Sequence, residues 1–471
     1  MMAGTLVSRA FGLVRQAAFN NLFPDAVKDA FNVAFRVPNL FREVLAEGAV
    51  TNALIPSLKD LPQDARPAFV RRFFALLLGL DLVVVGLILL LAPLFAELLI
   101  ASGSSLDRAL VVRLIRLLSP FLLAVSLAAF FSALHQEKER FFWPAFAPVA
   151  FNLVAILLML LFPGRAEPLA LAFVLGGFAQ AAASAVGLKG LGLEFQLDAR
   201  VLRALSLMVP FLFTTSTRQV VNVVLTALLT AYPRAAVTGF YNAEMVYLMV
   251  LGLFSVSPAM ALFPRLAGAG AGFGRLLVEA LERVGTVLAG LSALMLALAP
   301  WAIGVLFAWS PAFTPANFRF SSEALSALAL AVFPWGVYAL LVRGLYARQR
   351  IWAAVRVSVA VFLLNALLYY LLAPRGMFVL NLATVAAGWV GVGLLLALLK
   401  EAGVGAVLWP WGRALFAALV SGLAARLTAD VAGPPGGAIE SLWPLLSGGL
   451  VGGLVFMGLA EGFGLKLGLR R

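Results

Sequence analysis

Ser8-Arg-Ala-Phe-Gly-Leu-Val-Arg15 and Asp29-Ala-Phe-Asn-Val-Ala-Phe-Arg-Val-Pro-Asn-Leu-Phe-Arg-Glu43 set Arg9, Arg15, Asp29, Arg36, Arg42 and Glu43 among side chains apolar enough for a bilayer. Glu47 follows one helical turn later. Insertion scales put one Arg or Asp at a helix centre at about 2.5–3.5 kcal/mol, so several facing lipid threaten insertion. Ionisable groups that persist inside membrane helices line water-filled cavities and substrate paths. The stretch therefore points to a protein that binds or moves something charged, provided that the rest of the chain is a membrane protein.

Composition meets that condition. The 471 residues are 63% hydrophobic and only 12% charged, with a mean hydropathy of +1.01. Soluble domains average about 25% charged residues, so the fold class is an all-α polytopic membrane protein. Fourteen apolar runs are long enough to cross. They lie near 2–20, 29–56, 73–101, 111–134, 142–162, 168–188, 204–231, 236–263, 278–307, 324–346, 353–373, 377–399, 412–429 and 441–460.

Loop charge sets the orientation. With the N-terminus in the cytoplasm, twenty-one Lys and Arg fall in cytoplasmic loops, among them Lys59, Arg71, Lys138, Arg203, Arg348 and Lys466. The other side carries Lys28, Arg108, Arg165, Arg234, Arg319 and Arg375. This positive-inside bias predicts cytoplasmic N- and C-termini, and it assigns the net charge of +13 to membrane topology rather than to nucleic acid. There is no cysteine and a single histidine, His135, placed in a solvated loop. That removes thiol chemistry and leaves no basis for a zinc or haem centre. No Gly-Lys-Ser/Thr phosphate loop exists, and no metal, cofactor or enzymatic activity is expected.

A weak internal repeat organises the spans. Ser132–Leu153, with Asn152, and Arg343–Ala366, with Asn365, each end one span, cross a polar loop and enter another. Two pseudo-symmetric six-helix lobes follow, 1–190 and 200–400, with a cavity expected between them, and 401–471 forms an appended helix pair. Glycines in Gly448-Gly-Leu-Val-Gly-Gly453 suit close helix packing there.

Asp29, Arg36, Glu43 and Glu47 are spaced 7, 7 and 4 apart and share one stripe of an ideal helix. Arg42 stands about 120° off that stripe, and Arg9 and Arg15 are about 120° apart on theirs, so a helical wheel alone does not gather the cations. Pro38 and Gly48 also make a straight helix doubtful. Guanidinium groups meet phosphate oxygens bidentately and keep their charge when partly desolvated, which suggests a phosphate or pyrophosphate headgroup as ligand. Arg218 and Glu244 add a cation and a carboxylate in the seventh and eighth spans, where they either line the same path or pair with each other.

The run Ser8 to Arg15, the run Asp29 to Arg42, Ala46-Glu-Gly-Ala49 and Pro56 resemble the MurJ/MviN lipid II flippases of the multidrug/oligosaccharidyl-lipid/polysaccharide exporter superfamily. Weaker echoes are Phe141-Phe-Trp-Pro-Ala-Phe-Ala-Pro148, Asn152, Gln219, Tyr241-Asn-Ala-Glu244, Phe263-Pro264 and Leu345-Tyr-Ala-Arg348. The resemblance implies fourteen helices and alternating-access flipping of undecaprenyl-pyrophosphate-linked peptidoglycan precursor (lipid II) across the bacterial inner membrane. It implies a monomer whose partners are lipid II and membrane lipids. It also implies that Arg9, Arg15 and Arg42 hold the pyrophosphate beside Ser8, Asp29 and Glu47, and that the last two helices groove the lipid tail.

Departures accompany it. Met245 follows Glu244 where the family has arginine, which leaves Arg218 to supply that charge, and Gln16 stands where an acid is common. Leu225 and Tyr369 stand where some relatives hold sodium with acids, although Asn365 remains. Besides a degenerate family member acting as a scaffold, which the missing eighth-span arginine keeps open, two rivals remain on sequence alone. One is a flippase for another polyprenyl-pyrophosphate glycan of O-antigen or capsule type; the other is a membrane enzyme that polymerises lipid-linked glycans.

Overall fold

The structure, a computed structural model, describes residues 2–43, 49–196, 198–206 and 209–466, with side chains at all of these except 2–6, 49, 52 and 209–218. Among the described residues there are helices and no strands, as lipid demands of a chain whose backbone groups must pair within each segment. The first ten helices are α1 (Met2–Leu22), α2 (Asp25–Phe41), α3 (Ala49–Lys59), α4 (Arg66–Leu99), α5 (Arg108–Leu118), α6 (Pro120–Glu137), α7 (Phe142–Leu161), α8 (Ala166–Ala185), α9 (Ala199–Ser206) and α10 (Val209–Leu229). Then follow α11 (Ala236–Leu251), α12 (Ser257–Gly268), α13 (Phe273–Phe307), α14 (Pro315–Ala347), α15 (Ile351–Leu372), α16 (Met377–Leu398), α17 (Leu408–Ala432) and α18 (Ala438–Gly462).

Local chemistry sets the helix ends. The Asp107 carboxylate accepts from the Ala109 and Leu110 N–H groups and so starts α5, while the Thr314 hydroxyl accepts from the Asn317 N–H at the start of α14. Prolines near the first turns of α4, α6 and α14 cost no hydrogen bond there.

Among the described residues, eleven helical segments are long and apolar enough to cross a membrane. In two of them helices join: α5 runs into α6, and α11 runs through a wide turn at Gly252–Val256 into α12. The three other expected crossings fall on α1, on α2 with α3, and on α10. There the arginines of α1 and α2 lower the hydropathy, and α2 ends at Phe41 before α3 begins at Ala49. His135 corrects an expectation: α6 continues through Glu137 and buries the side chain at 1% exposure, so it is not in a solvated loop.

Packing divides the chain into two units, Met1–Val237 and Thr238–Arg471. In the first, α8 packs on α7 and α6, α1 lies along α7, and α2 lies against α5. An apolar cluster of Leu54, Phe69, Phe73, Phe130 and Val201 joins α3, α4, α6 and α9. In the second unit α14 packs against α13 and α16, and the α17–α18 pair packs on α13.

The glycine run of α18 lies in this second unit. A Cβ on Gly448 would come 2.7 Å from the Ala425 carbonyl oxygen, and one on Gly452 would come 2.6 Å from the Ala425 Cβ. At Gly453 nothing lies within 4 Å. The same two positions also face Leu298 and Leu294 of α13, at 2.9 and 2.6 Å, so glycine is required on the face that packs into α17 and α13.

Candidate functional site

The first unit carries the charged stretch, and α1 supplies its first two cations. Arg9 Nη1 and Arg15 Nε are buried and have no hydrogen-bond partner. Arg15 instead lies between two rings, with its guanidinium carbon 5.0 Å from the Phe151 centroid and 4.9 Å from that of Phe173. A cation over an aromatic face gains about 0.5–2 kcal/mol, more as it is desolvated. Phe173 is itself held by Phe31 at 4.6 Å and Phe35 at 5.3 Å from α2, and by Phe151 at 5.7 Å.

Gly176 lets α8 approach that cage, since a Cβ there would stand 2.9 Å from the Phe151 ring. Asn152, the residue after Phe151, donates to the Pro148 carbonyl at 3.0 Å and to the Ser8 carbonyl at 3.4 Å. Ser8 thus serves through its backbone to tie α1 to α7.

On α2 the charged residues separate into two groups. Asp29, 2% exposed, accepts from the Ala235 N–H at 2.6 Å. Ala235 is a non-glycine residue at φ +76°, and the carboxylate pins this strained corner ahead of α11. Lys28 is fully buried, with Nζ 2.9 Å from the Asp25 carboxylate and 3.1 Å from the Asn20 carbonyl, rather than in a loop. The other group gathers toward the far end of the helix. Arg36 is 8% exposed with its Nε unpartnered.

Past Phe41 the backbone widens into a π-turn at Arg42 and Glu43, which ends the straight-helix stripe. Asn39 bridges these two: its Oδ1 accepts from Arg42 Nε at 2.8 Å, and its Nδ2 donates to Glu43 at 2.9 Å. Gln219 of α10 donates to the other Glu43 oxygen. Arg15 and Arg42 stand near enough for their like charges to repel, although they come from different helices.

The structure therefore brings Arg15 and Arg42 into one field, places Arg9 and Arg36 as partly unpaired cations on the same two helices, and seats Asp29 about 20 Å along α2 from Arg42. Glu47 lies outside the described residues, as does the Arg218 side chain. Glu244 belongs to the second unit, where its charge acts on Tyr247 and Tyr369. Tyr369 shares a 2.5 Å hydroxyl hydrogen bond with Thr384.

Sequence reasoning missed Phe151 and Phe173 as partners of Arg15, and Asn39 and Gln219 as partners of Glu43. One phenylalanine among 37 gives no signal. The signal for Glu43 was its place on the α2 stripe.

The family model for lipid II flippase MurJ matches residues 19–430. The chain is 29% identical over 441 residues to a probable lipid II flippase MurJ of Rhizobium tropici, covering 87% of this chain and 81% of that one. It is 28% identical over 401 residues to lipid II flippase MurJ of Burkholderia cenocepacia, covering 79% and 76%. A solved lipid II flippase MurJ in an inward closed conformation superposes with a TM-score of 0.84 at 22% identity, covering 98% of both chains. An inward-facing multidrug resistance MATE transporter has a TM-score of 0.66 at 11% identity, covering 85% of this chain and 95% of that one; at these identities both likenesses concern the fold. The family match spans the arginine-bearing second helix and most of the chain beyond it, and the protein is a multi-span helical membrane protein of the lipid II flippase MurJ family.

Proposed function

We propose that this chain flips lipid II from the inner to the outer leaflet of the bacterial inner membrane, as a transporter and not an enzyme. The observation that carries the reading is the set of arginines on α1 and α2 with buried, unpartnered nitrogens at Arg9, Arg15 and Arg36. Buried donors without acceptors are costly, and a pyrophosphate supplies several acceptor oxygens at once. Arg15 and Arg42 lie close enough for their like charges to repel, and a ligand that carries two negative charges relieves that repulsion. In this reading the phosphates are drawn in electrostatically, and closure behind them carries the headgroup across.

The membrane organisation we infer is fourteen spans in two six-helix lobes plus a C-terminal pair, with both termini cytoplasmic, acting as a monomer without metal or cofactor. Ser8, Asp29, Glu47, Arg218 and Glu244 accompany the arginine grip, with Arg218 in place of the cation that Met245 does not provide. Membrane potential acting on buried charge, worth about 2.3 kcal/mol per elementary charge per 100 mV, is an adequate energy source.

The test is arrival of lipid II in the outer leaflet of cells depleted of their own flippase and expressing this chain. Restored arrival that disappears with Arg42→Ala, at unchanged membrane levels, supports both substrate and grip. No restoration by inserted, folded protein overturns lipid II as the substrate and favours another polyprenyl-pyrophosphate glycan.

A further inference from the structure

A second set of arginines lies at the opposite end of α4 from Arg66, Arg71 and Arg72. The 34 residues of that helix rise about 51 Å, well beyond a hydrocarbon core of about 30 Å. Near its C-terminal end, Pro93 and Glu97 form one wall of an open groove of about 580 Å³, and α5 forms the other with Arg108, Val112, Arg113 and Arg116. All three arginines are exposed. Arg113 pairs with Glu167 of α8 at 2.7 Å, and Arg116 Nε donates to the Leu89 carbonyl at 3.4 Å.

Leu89 lies ten residues inside the end of α4, and on that stretch Leu90 is 74% and Leu94 48% exposed. Exposed leucines on a membrane-crossing helix face lipid, so the Arg116 guanidinium lies beside acyl chains, where a cation balanced only by a neutral carbonyl is costly. Three arginines against Glu97 and Glu167 leave one positive charge in the groove. A single phosphodiester neutralises it, the guanidinium forks match its oxygens, and the apolar wall suits the glycerol and upper acyl segments.

We propose that this groove binds the phosphate of an anionic phospholipid, drawn from the leaflet opposite the Arg66–Arg72 end of α4. The lipid fastens α5 to α4. Free phosphate satisfies the same cations, but it leaves the apolar wall and the adjoining leucines without a partner.

The test uses the full chain, purified in detergent, stripped of lipid and titrated with fluorescent phosphatidylglycerol, fluorescent phosphatidylcholine and inorganic phosphate. The expected result is binding of phosphatidylglycerol about tenfold tighter than phosphatidylcholine, a preference lost in the Arg113→Gln/Arg116→Gln double variant and reduced by Arg108→Gln alone. In Arg15→Ala, which weakens binding at the other arginine site, the preference persists. Equal affinity for the two lipids in the unaltered chain, a measurement that needs no variant to fold, overturns the proposal. So does an unchanged preference in the double variant, loss of the preference in Arg15→Ala, or displacement of phosphatidylglycerol by inorganic phosphate.

Discussion

Arg15 shows how one residue keeps its charge within a membrane-embedded unit. Its Nε makes no hydrogen bond, yet its guanidinium lies against the rings of Phe151 and Phe173. Those faces stabilise the cation without neutralising it, so it remains available to an anion. Phe173→Leu keeps the position apolar but removes one ring, and about 1 kcal/mol of cation–π stabilisation goes with it. Lipid II delivery is expected to fall several-fold in that variant and to stay near normal in Phe173→Tyr. Equal rates in Phe173→Leu and the parent, at matched protein levels, would remove the ring from the account. Glu43 is poised differently, accepting from both Asn39 and Gln219. Glu43→Ala frees the Asn39 amide and Gln219 and lets Arg42 wander, so lipid II delivery is expected to drop while Glu43→Gln retains more of it. Indistinguishable delivery by the two variants would mean that Glu43 does not position Arg42.

At the scale of elements, contact between helices is set by which residue faces which. Gly448 and Gly452 meet α17 with no room for a Cβ, whereas Gly453 faces open space. Gly452→Val overpacks that seam and is expected to cost about 1–3 kcal/mol, lowering the Tm in detergent, while Gly453→Val leaves the Tm within a degree or so. A Tm unchanged by both would mean that the seam yields freely.

The loop after α8 is held by charge instead. Glu194 pairs with Arg72 at 2.7 Å and Arg71 at 3.2 Å, and Asp198 pairs with Arg72 at 2.9 Å. The hydrogen bond from Arg72 is the main cause that holds the Glu194 carboxyl below its ordinary value of 4.5, while the Arg200 backbone N–H leads in lowering Asp198. A carboxyl depressed in the folded state contributes stability that is complete above the ordinary value and is lost as pH falls through the depressed one. Protease cleavage within residues 186–196 is therefore expected to be flat from pH 8 down to the Glu194 ordinary value and to rise below it. In Glu194→Gln cleavage starts higher and varies less; a parent profile with the same shape as the variant's would refute the clasp.

For the whole molecule, the question is what drives the cycle. Leu225 is an apolar, buried residue of α10, and Tyr369 spends its hydroxyl on Thr384. Neither offers the carboxylate oxygens that a hard cation prefers. Lipid II arrival is accordingly expected to be the same in sodium and potassium media of equal ionic strength and to fall when the membrane potential is collapsed. A large loss on removing sodium alone would point to an ion site built from other oxygens. Much of the molecule at this scale was legible beforehand. Apolar runs of crossing length are a property of the chain itself, because lipid requires each segment to satisfy its own backbone, and charges inside such runs stand out by their cost.

The site was legible in its residue types and only partly in its geometry. Sequence alone determined a helical, multi-span class and an arginine-rich start on α1 and α2, since composition and local spacing fix those without any partner segment. It also determined that glycines would pack a late helix closely. Tertiary structure alone decided that Arg15 lies between Phe151 and Phe173, that Arg42 shares its field, that Asp29 turns away to hold Ala235, and that Gly452 rather than Gly453 meets α17. The physical reason is that helical periodicity tells which residues share a face but not what that face meets. The neighbours come from segments far away in sequence, and at Arg42 the π-turn past Phe41 breaks the periodicity on which a wheel depends.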